Sequence, residues 1–193
     1  DSPMHITVLS GSPKGDLSVT MQYVAFLQRK FPQHTFSIQH LVPRIKKLEN
    51  DPEAFQAVLD DVARADGVLW AFPLYILLVH GSYKRFIELI WERNAQHVFR
   101  DKYAAALSTS IHFYDHTAHN YVHAICDDLG MRYVDFFSAA MQDLVQRAEQ
   151  RKLLLFAERL FETIAQARPT YRHHAPVVWE ERPYQPGEGT RAL

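Results

Sequence analysis

A segment rich in glycine and hydroxyl groups follows the first apolar run of the chain. It reads SGSPKGDLSVT, from Ser10 to Thr20, and leads from the run 5–9 into a segment with helical periodicity. Its two glycines allow a ligand to approach the backbone closely, and Lys14 adds a positive charge. Free N–H groups and the positive dipole end at a helix N-terminus favour an anion. These residues predict a phosphate-binding loop, with a polar capping turn that binds no ligand as the alternative.

A second loop is unusually apolar for its position. It reads PLYILLVHGS, from Pro73 to Ser82, and follows another apolar run. Aromatic and aliphatic groups around backbone N–H and C=O groups suit a flat heteroaromatic ring. Packing into a dimer interface is the alternative, and both can hold together because cofactors often lie at interfaces.

Several motifs that would define the phosphate ligand are absent from the sequence. Neither the P-loop pattern G-x-x-x-x-G-K-[ST] nor the dinucleotide pattern G-x-G-x-x-G occurs. No cysteine follows the first apolar run, which excludes a cysteine-based phosphatase on this type of sheet. A G-x-S-x-G nucleophile elbow is also absent, which weakens the case for a hydrolase. The ligand class that remains is a mononucleotide that the loop binds by its phosphate end.

Apolar periodicity predicts the elements that must position these loops. Short buried strands are predicted at 5–9, 35–42, 67–72, 103–108 and 132–137. Helices are predicted at about 18–30, 52–63, 83–91, 118–129 and 153–164. The second helix is the clearest, because Asp51 suits the N-cap and Pro52 suits the first helical position.

Five strands alternating with five helices predict an α/β fold. We expect a doubly wound five-stranded parallel sheet of order 2-1-3-4-5 with helices on both faces. Ligands of such sheets bind at the carboxyl ends of the strands, where the strand order reverses. The loops 10–17, 73–82 and 109–117 should therefore line the site.

Composition sets further limits. The chain has 193 residues and a formal charge of −1, without a basic excess, so no nucleic-acid partner is expected. Its one cysteine, Cys126, excludes an intrachain disulfide and a four-cysteine metal site, and a reducing, cytoplasmic location fits best. No apolar run approaches the roughly 20 residues of a membrane span.

The chain divides into two parts. Residues 1–167 are predicted to form one domain, whereas 168–193 read as an extended tail with several prolines. Aromatic and aliphatic residues in the tail predict that it lies on its own domain, on a partner subunit or on a further domain.

The two loop motifs resemble those of the flavodoxin-like NAD(P)H-dependent FMN reductase and quinone reductase family, which includes iron–sulfur flavoproteins. The first loop follows the family's Gly-Ser-x-Arg/Lys pattern and its hydroxyl cluster. The second, PLYILLVHGSYKRF, matches the family's Pro-x-Tyr and the later Gly and Lys-x-Phe. The chain departs from the family at Leu77-Leu78, where Gly-Ser is usual, and at His80, where Pro is usual. The cysteine cluster of the iron–sulfur members is absent.

The resemblance implies that the cofactor is FMN. The phosphate would be bound by the first loop, at Ser10, Ser12, Lys14, Ser18, Val19 and Thr20. The ring would contact the other two loops, at Pro73, Leu74, Tyr75, Ile76, Leu77, Thr109, Ser110, Ile111 and His112. No catalytic acid or base is required; His112 and Tyr114 are the candidates beside the flavin.

The resemblance also implies a reaction. Hydride would pass from NAD(P)H to the flavin, and electrons would then pass to a flavin, quinone or other small-molecule or protein acceptor. A homodimer is expected. An FMN-bearing electron-transfer module reduced by a partner protein is the alternative, and a non-catalytic binding subunit is a third reading.

Four histidines cluster in sequence after the fourth strand: His112, His116, His119 and His123. The last three have a spacing at which one helical face could hold a metal ion. No neighbouring cysteine completes a ligand set, and the eleven histidines are spread along the chain. We therefore expect flavin-edge or solvent-exposed histidines and no metal site.

Overall fold

The computed structural model describes residues 2–111, 114–140, 143–176, 178 and 180–187. Five strands form one sheet: β1 (His5–Ser10), β2 (Thr35–His40), β3 (Gly67–Pro73), β4 (Tyr103–Ser110) and β5 (Arg132–Ala140). Six α-helices accompany them: α1 (Val19–Lys30), α2 (Ile45–Asn50), α3 (Pro52–Arg64), α4 (Gly81–Glu92), α5 (His116–Asp128) and α6 (Arg147–Ala165). Short 3-10 turns lie at Gly15–Leu17, Gln96–Val98 and Asp143–Val145.

The strands pair in the order β2-β1-β3-β4-β5, and every pairing is parallel. The predicted doubly wound sheet is therefore confirmed. Helices α1 and α6 pack on one face through a core that contains Leu27 and Leu153. Helices α2 to α5 pack on the other face around Trp70, Tyr83 and Phe86.

The register places the predicted loops at one edge of the sheet. Ser10 at the end of β1 lies opposite Ala71 of β3, and Pro73 at the end of β3 lies opposite Thr109 of β4. The loops after β1, β3 and β4 therefore leave the sheet at nearly the same level. This arrangement creates the crevice that the topology rule predicts.

Several helix ends follow from local chemistry. The Asp51 carboxylate accepts hydrogen bonds from the N–H groups of Glu53 and Ala54, with Pro52 in the first turn, as predicted. Gly130 follows Leu129, the C-cap residue of α5. Its φ is 71°, which a glycine adopts without a steric penalty.

Some predicted bounds were wrong. Helix α2, which has six residues and one buried side chain, Leu48, was not predicted. Strand β2 ends at His40 rather than at residue 42. Helix α5 begins at His116 rather than at residue 118, and β4 and β5 run two and three residues further than predicted, to Ser110 and Ala140. Among the described helices, none combines the length and apolarity that crossing a bilayer requires.

Candidate functional site

The loop after β1 leads into α1 through an N-cap. The Ser18 hydroxyl accepts a hydrogen bond from the Met21 N–H at 3.1 Å. The preceding N–H groups of the helix, those of Val19 and Thr20, have no acceptor within the described residues. They lie beside the exposed Lys14 in the same cleft. A pair of unpartnered N–H groups at a helix N-terminus binds anions.

Buried serines shape the turn that precedes this helix. The Ser12 hydroxyl accepts a hydrogen bond from the Lys14 N–H at 3.2 Å. The Ser10 hydroxyl accepts a hydrogen bond from the Ser12 N–H at 3.4 Å. Both side chains are buried. The Gly11 N–H donates to the Ala71 carbonyl at 2.8 Å, which ties the turn to β3. The turn is therefore stabilised by two hydrogen bonds of its own serine hydroxyls and by one backbone hydrogen bond to β3.

The loop after β3 forms a tight turn. Tyr75 and Leu78 exchange two backbone hydrogen bonds of 2.7 and 3.1 Å, and the two residues between them, Ile76 and Leu77, have φ values of 40° and 69°. Residues with a Cβ rarely adopt this left-handed region, and each costs about 1–2 kcal/mol there. The turn is thus strained, and the Ile76 side chain is 95% exposed.

Thr20 connects the two sides of the crevice. Its hydroxyl oxygen lies 2.8 Å from that of Thr109 at the end of β4, and both side chains are buried. A cleft of about 210 Å³ opens here. Its lining comes from all three predicted loops: Ser12, Lys14, Leu17, Ser18, Val19, Thr20, Pro73, Leu74, Tyr75, Thr109, Ser110 and Ile111.

Most of the residues predicted from the sequence line this cleft, but four described ones do not. Ser10 lies beneath it, where its hydroxyl supports Ser12. Ile76 and Leu77 form the tip of the strained turn, and Tyr114 is 65% exposed outside the lining. The remaining candidate, His112, lies outside the described residues.

A buried polar network below the cleft was not predicted. The Ser108 hydroxyl lies 2.7 Å from an Asp115 carboxylate oxygen and 2.8 Å from His119 Nε2. Ser138 of β5 donates to the same carboxylate. Burial raises the pKa of Asp115, but the hydrogen bonds from the two serines outweigh that effect and lower the pKa. Asp115 directly precedes α5, so this network fixes the start of α5 against the ends of β4 and β5.

His119 belongs to the same network. Its burial lowers the pKa of the imidazole, so the neutral form is favoured. The sequence placed His119 on one helical face with His116 and His123, yet His116 is exposed and His119 faces Ser108. The three histidines do not form a common site.

Comparison with known proteins decides the family. The family model described as NADPH-dependent FMN reductase matches residues 4–143, which is well over half of the chain. The chain belongs to the NADPH-dependent FMN reductase family. No curated protein matches this NADPH-dependent FMN reductase family member significantly.

Solved structures share the fold of this FMN reductase family member at low sequence identity. An NADH:FMN oxidoreductase called EMOB, in its apo form, is 17% identical with a TM-score of 0.66, over 88% of this chain and 94% of its own. FerB, an NAD(P)H:acceptor oxidoreductase from Paracoccus denitrificans, is 18% identical with a TM-score of 0.63, over 82% and 98%. General stress protein 14 from Treponema denticola, in complex with FMN, is 13% identical with a TM-score of 0.61, over 82% and 99%.

The cleft of this family member fits the two ends of FMN. The unpartnered N–H groups of Val19 and Thr20, with Lys14 beside them, suit a phosphate. The opposite wall, formed by Pro73, Leu74 and Tyr75, is apolar and suits the ring.

Proposed function

We propose that the chain is an FMN-dependent oxidoreductase that takes hydride from NAD(P)H and passes electrons to a flavin, quinone or other acceptor. One observation supports this most strongly: a cleft with unpartnered helix N–H groups on one wall and an apolar surface on the other, at the strand-order reversal. We further propose a homodimer and a cytoplasmic location, as the sequence suggested.

The residues of the first loop would hold the cofactor phosphate. The N–H groups of Val19 and Thr20 donate to it, Lys14 supplies the opposite charge, and the buried hydroxyls of Ser12 and Ser18 complete the pocket. Ser10 would not contact the phosphate; its hydroxyl would position Ser12 by accepting a hydrogen bond from the Ser12 N–H.

The other two loops would hold the ring. Pro73, Leu74 and Tyr75 offer an apolar surface, and Thr109 and Ser110 offer polar atoms at the end of β4. FMN, when bound, supplies the capacity to accept a hydride and release electrons one or two at a time. The chain supplies binding, orientation and exclusion of water, and needs no acid or base of its own.

The test is anaerobic reduction. Purified chain reconstituted with FMN should bind it and lose the visible flavin colour when NADH or NADPH is added without oxygen. Retention of FMN without bleaching by either nucleotide would contradict the hydride step. Failure to retain FMN would contradict the cofactor assignment and favour a non-catalytic binding subunit.

The rim of the cleft favours a second candidate function. Leu17 and Ile111, which both line the cleft, are 87% and 69% exposed, respectively. Exposed apolar side chains around a site are typical of a protein-docking surface. An FMN-bearing electron-transfer module reduced by a partner protein would use such a rim. Bleaching by a flavoprotein reductase, but not by NAD(P)H alone, would support this candidate.

A further inference from the structure

The segment that follows α6 folds back onto the C-terminal end of α5. The Arg172 guanidinium donates to the backbone carbonyl of Asp127 at 2.7 Å and to the Asp128 carboxylate at 2.6 Å. The N–H groups of His173 and His174 donate to Asp127 Oδ2 at 3.0 and 2.9 Å. A single buried carboxylate therefore receives two successive N–H groups of the tail.

This contact gathers a set of metal-ligating side chains. His123 and Asp127 are four residues apart and share one face of α5. His174 approaches from the tail, with Nδ1 3.0 Å from Asp127 Oδ2. One donor atom from each of the three lies within 4.8 Å of the others, and within the described part of the chain no other three His, Cys, Asp or Glu residues meet that criterion.

Two donor atoms of this set, His123 Nε2 and Asp127 Oδ1, can bind a metal ion without losing a hydrogen bond to a described residue. Among the described residues, His123 Nε2 is buried with no hydrogen-bond partner, and it lies 3.7 Å from Asp127 Oδ1. Oδ1 itself accepts no hydrogen bond from the described residues, because the tail donates to Oδ2. A buried imidazole nitrogen without a partner is costly, and an ion between it and the free carboxylate oxygen would remove that cost.

The surroundings orient His123. Its ring stacks on Tyr133 with 3.9 Å between centroids and an interplanar angle of 16°, and His173 stacks on it at 5.3 Å and 21°. The Asp127 side chain is only 2% exposed. His123, Tyr133 and His173 border a cleft of about 520 Å³ between the tail and β5.

We propose that His123 Nε2, Asp127 Oδ1 and His174 Nδ1 bind a divalent transition-metal ion of the zinc class. Two imidazoles and one carboxylate are a ligand set that zinc accepts, with water or His173 as the fourth ligand. A tetrahedral zinc ion keeps its ligands about 3.3 Å apart, so the three side chains need only small rotations. Zinc binding at Nδ1 requires the neutral His174 tautomer with its proton on Nε2. The proton that Nδ1 now donates to Asp127 Oδ2 is therefore released to solvent, Nε2 takes one up, and the Nδ1–Oδ2 hydrogen bond is lost.

The bound ion would fasten the tail to the domain. The three ligands come from α5 and from a segment 47 residues beyond Asp127. Oδ2 would keep its two backbone hydrogen bonds and so hold the ligating carboxylate in place. This role is separate from the cleft at the ends of β1, β3 and β4, and it does not depend on the cofactor.

The experiment is a zinc titration of the full chain after dialysis against a chelator, with and without FMN. One zinc ion should bind per chain, and Co²⁺ in its place should give the visible absorption of a tetrahedral site. His123→Gln and His174→Gln should each weaken zinc binding by more than about tenfold, because each removes a ligand and leaves the hydrogen bonds of Asp127 to the tail backbone intact. His97→Gln, an exposed histidine outside the cluster, is the matched control and should bind zinc as the unaltered chain does.

A second measurement follows the tail directly. Zinc should slow tryptic cleavage after Arg172 in the unaltered chain and in His97→Gln, but not in His174→Gln. Equal affinity in all variants would place the ion elsewhere and overturn the proposal. Absence of zinc binding at micromolar concentrations would overturn it as well, and would leave a hydrogen-bonded cluster only.

Discussion

The hydroxyl oxygens of Thr20 and Thr109 lie 2.8 Å apart in the buried floor of the cleft. Thr20 is in the first turn of α1, and Thr109 is near the end of β4. Helix α1 packs directly against β4, and this contact joins the start of α1 to the end of β4 at the bottom of the cleft. One pair of side chains therefore links the wall formed by the first loop to the wall formed by the end of β4.

Thr20→Val should widen the cleft and weaken FMN binding. Valine keeps the shape of threonine but leaves the Thr109 hydroxyl without its partner, a loss of about 1 kcal/mol, or roughly fivefold in the dissociation constant. FMN fluorescence quenching measures this constant. Thr117→Val, at an exposed position in α5, is the control and should leave it unchanged. Equal affinity in Thr20→Val would show that the bond does not set the cleft geometry.

Ser18 caps α1, and under the proposed function it also lines the phosphate pocket; two substitutions separate the observed role from the proposed one. Ser18→Ala combined with Ser12→Ala should weaken FMN binding, but it also removes the N-cap of α1. Ser18→Asp keeps a good N-cap and places a negative charge beside the phosphate site, so the free energy of unfolding without FMN should stay within about 0.5 kcal/mol. Its FMN affinity should fall by more than about tenfold, because a like charge disfavours the phosphate. Unchanged affinity in Ser18→Asp would move the phosphate away from α1.

Gly11 and Gly81 form a matched pair for stability. A Cβ on Gly11 would lie 2.9 Å from Phe72 Cβ and 3.1 Å from the Tyr83 ring, whereas a Cβ on Gly81 meets nothing within 4 Å. Gly11→Ala should therefore lower the free energy of unfolding by about 1–3 kcal/mol. Gly81→Ala, at the first residue of α4, should leave it unchanged or raise it by up to about 1 kcal/mol. Urea denaturation measures both, and equal effects would contradict the close packing of the first loop against β3.

Asp61 makes the stability depend on pH. Burial raises the pKa of this carboxyl group, but hydrogen bonds from Gln39 and His5 outweigh that effect and bring the pKa to about 2. The folded state therefore gains stability that is present above about pH 4 and is lost as the pH falls toward 2, amounting to about 2 kcal/mol. Asp61→Asn should lack this part of the acid destabilisation. Asp60→Asn, its exposed neighbour, should retain it; identical acid profiles for the two variants would contradict the assignment.

The sheet order and the cleft were predictable because they follow from patterns that repeat along the chain. Each strand is an apolar run, and Asp51-Pro52 marks a helix start through chemistry confined to neighbouring residues. The carboxyl end of β4 was not predictable in the same way. Thr109 and Ser110 were predicted to begin the loop 109–117, yet both are buried in the strand.

Other features depend on contacts between distant residues. Helix α2 has one buried side chain, Leu48, which gives no periodic signal in six residues. The contact of Ser108 with Asp115 and His119 needs the three-dimensional placement of α5 over β4. The sequence put the tail on its own domain, on a partner or on a further domain, and the bonds of Arg172 to Asp127 and Asp128 show that this part of it lies on its own domain.

The turn at Tyr75–Leu78 closes on itself, because its two end residues bond to each other. Ile76 and Leu77 therefore form a small unit whose replacement leaves the hydrophobic core and the phosphate loop untouched. Exchanging these two residues for Asn-Gly, which adopt positive φ readily, would relax the backbone and make the exposed tip of the turn more polar. The polarity of this tip is thus open to redesign through two positions, independently of folding.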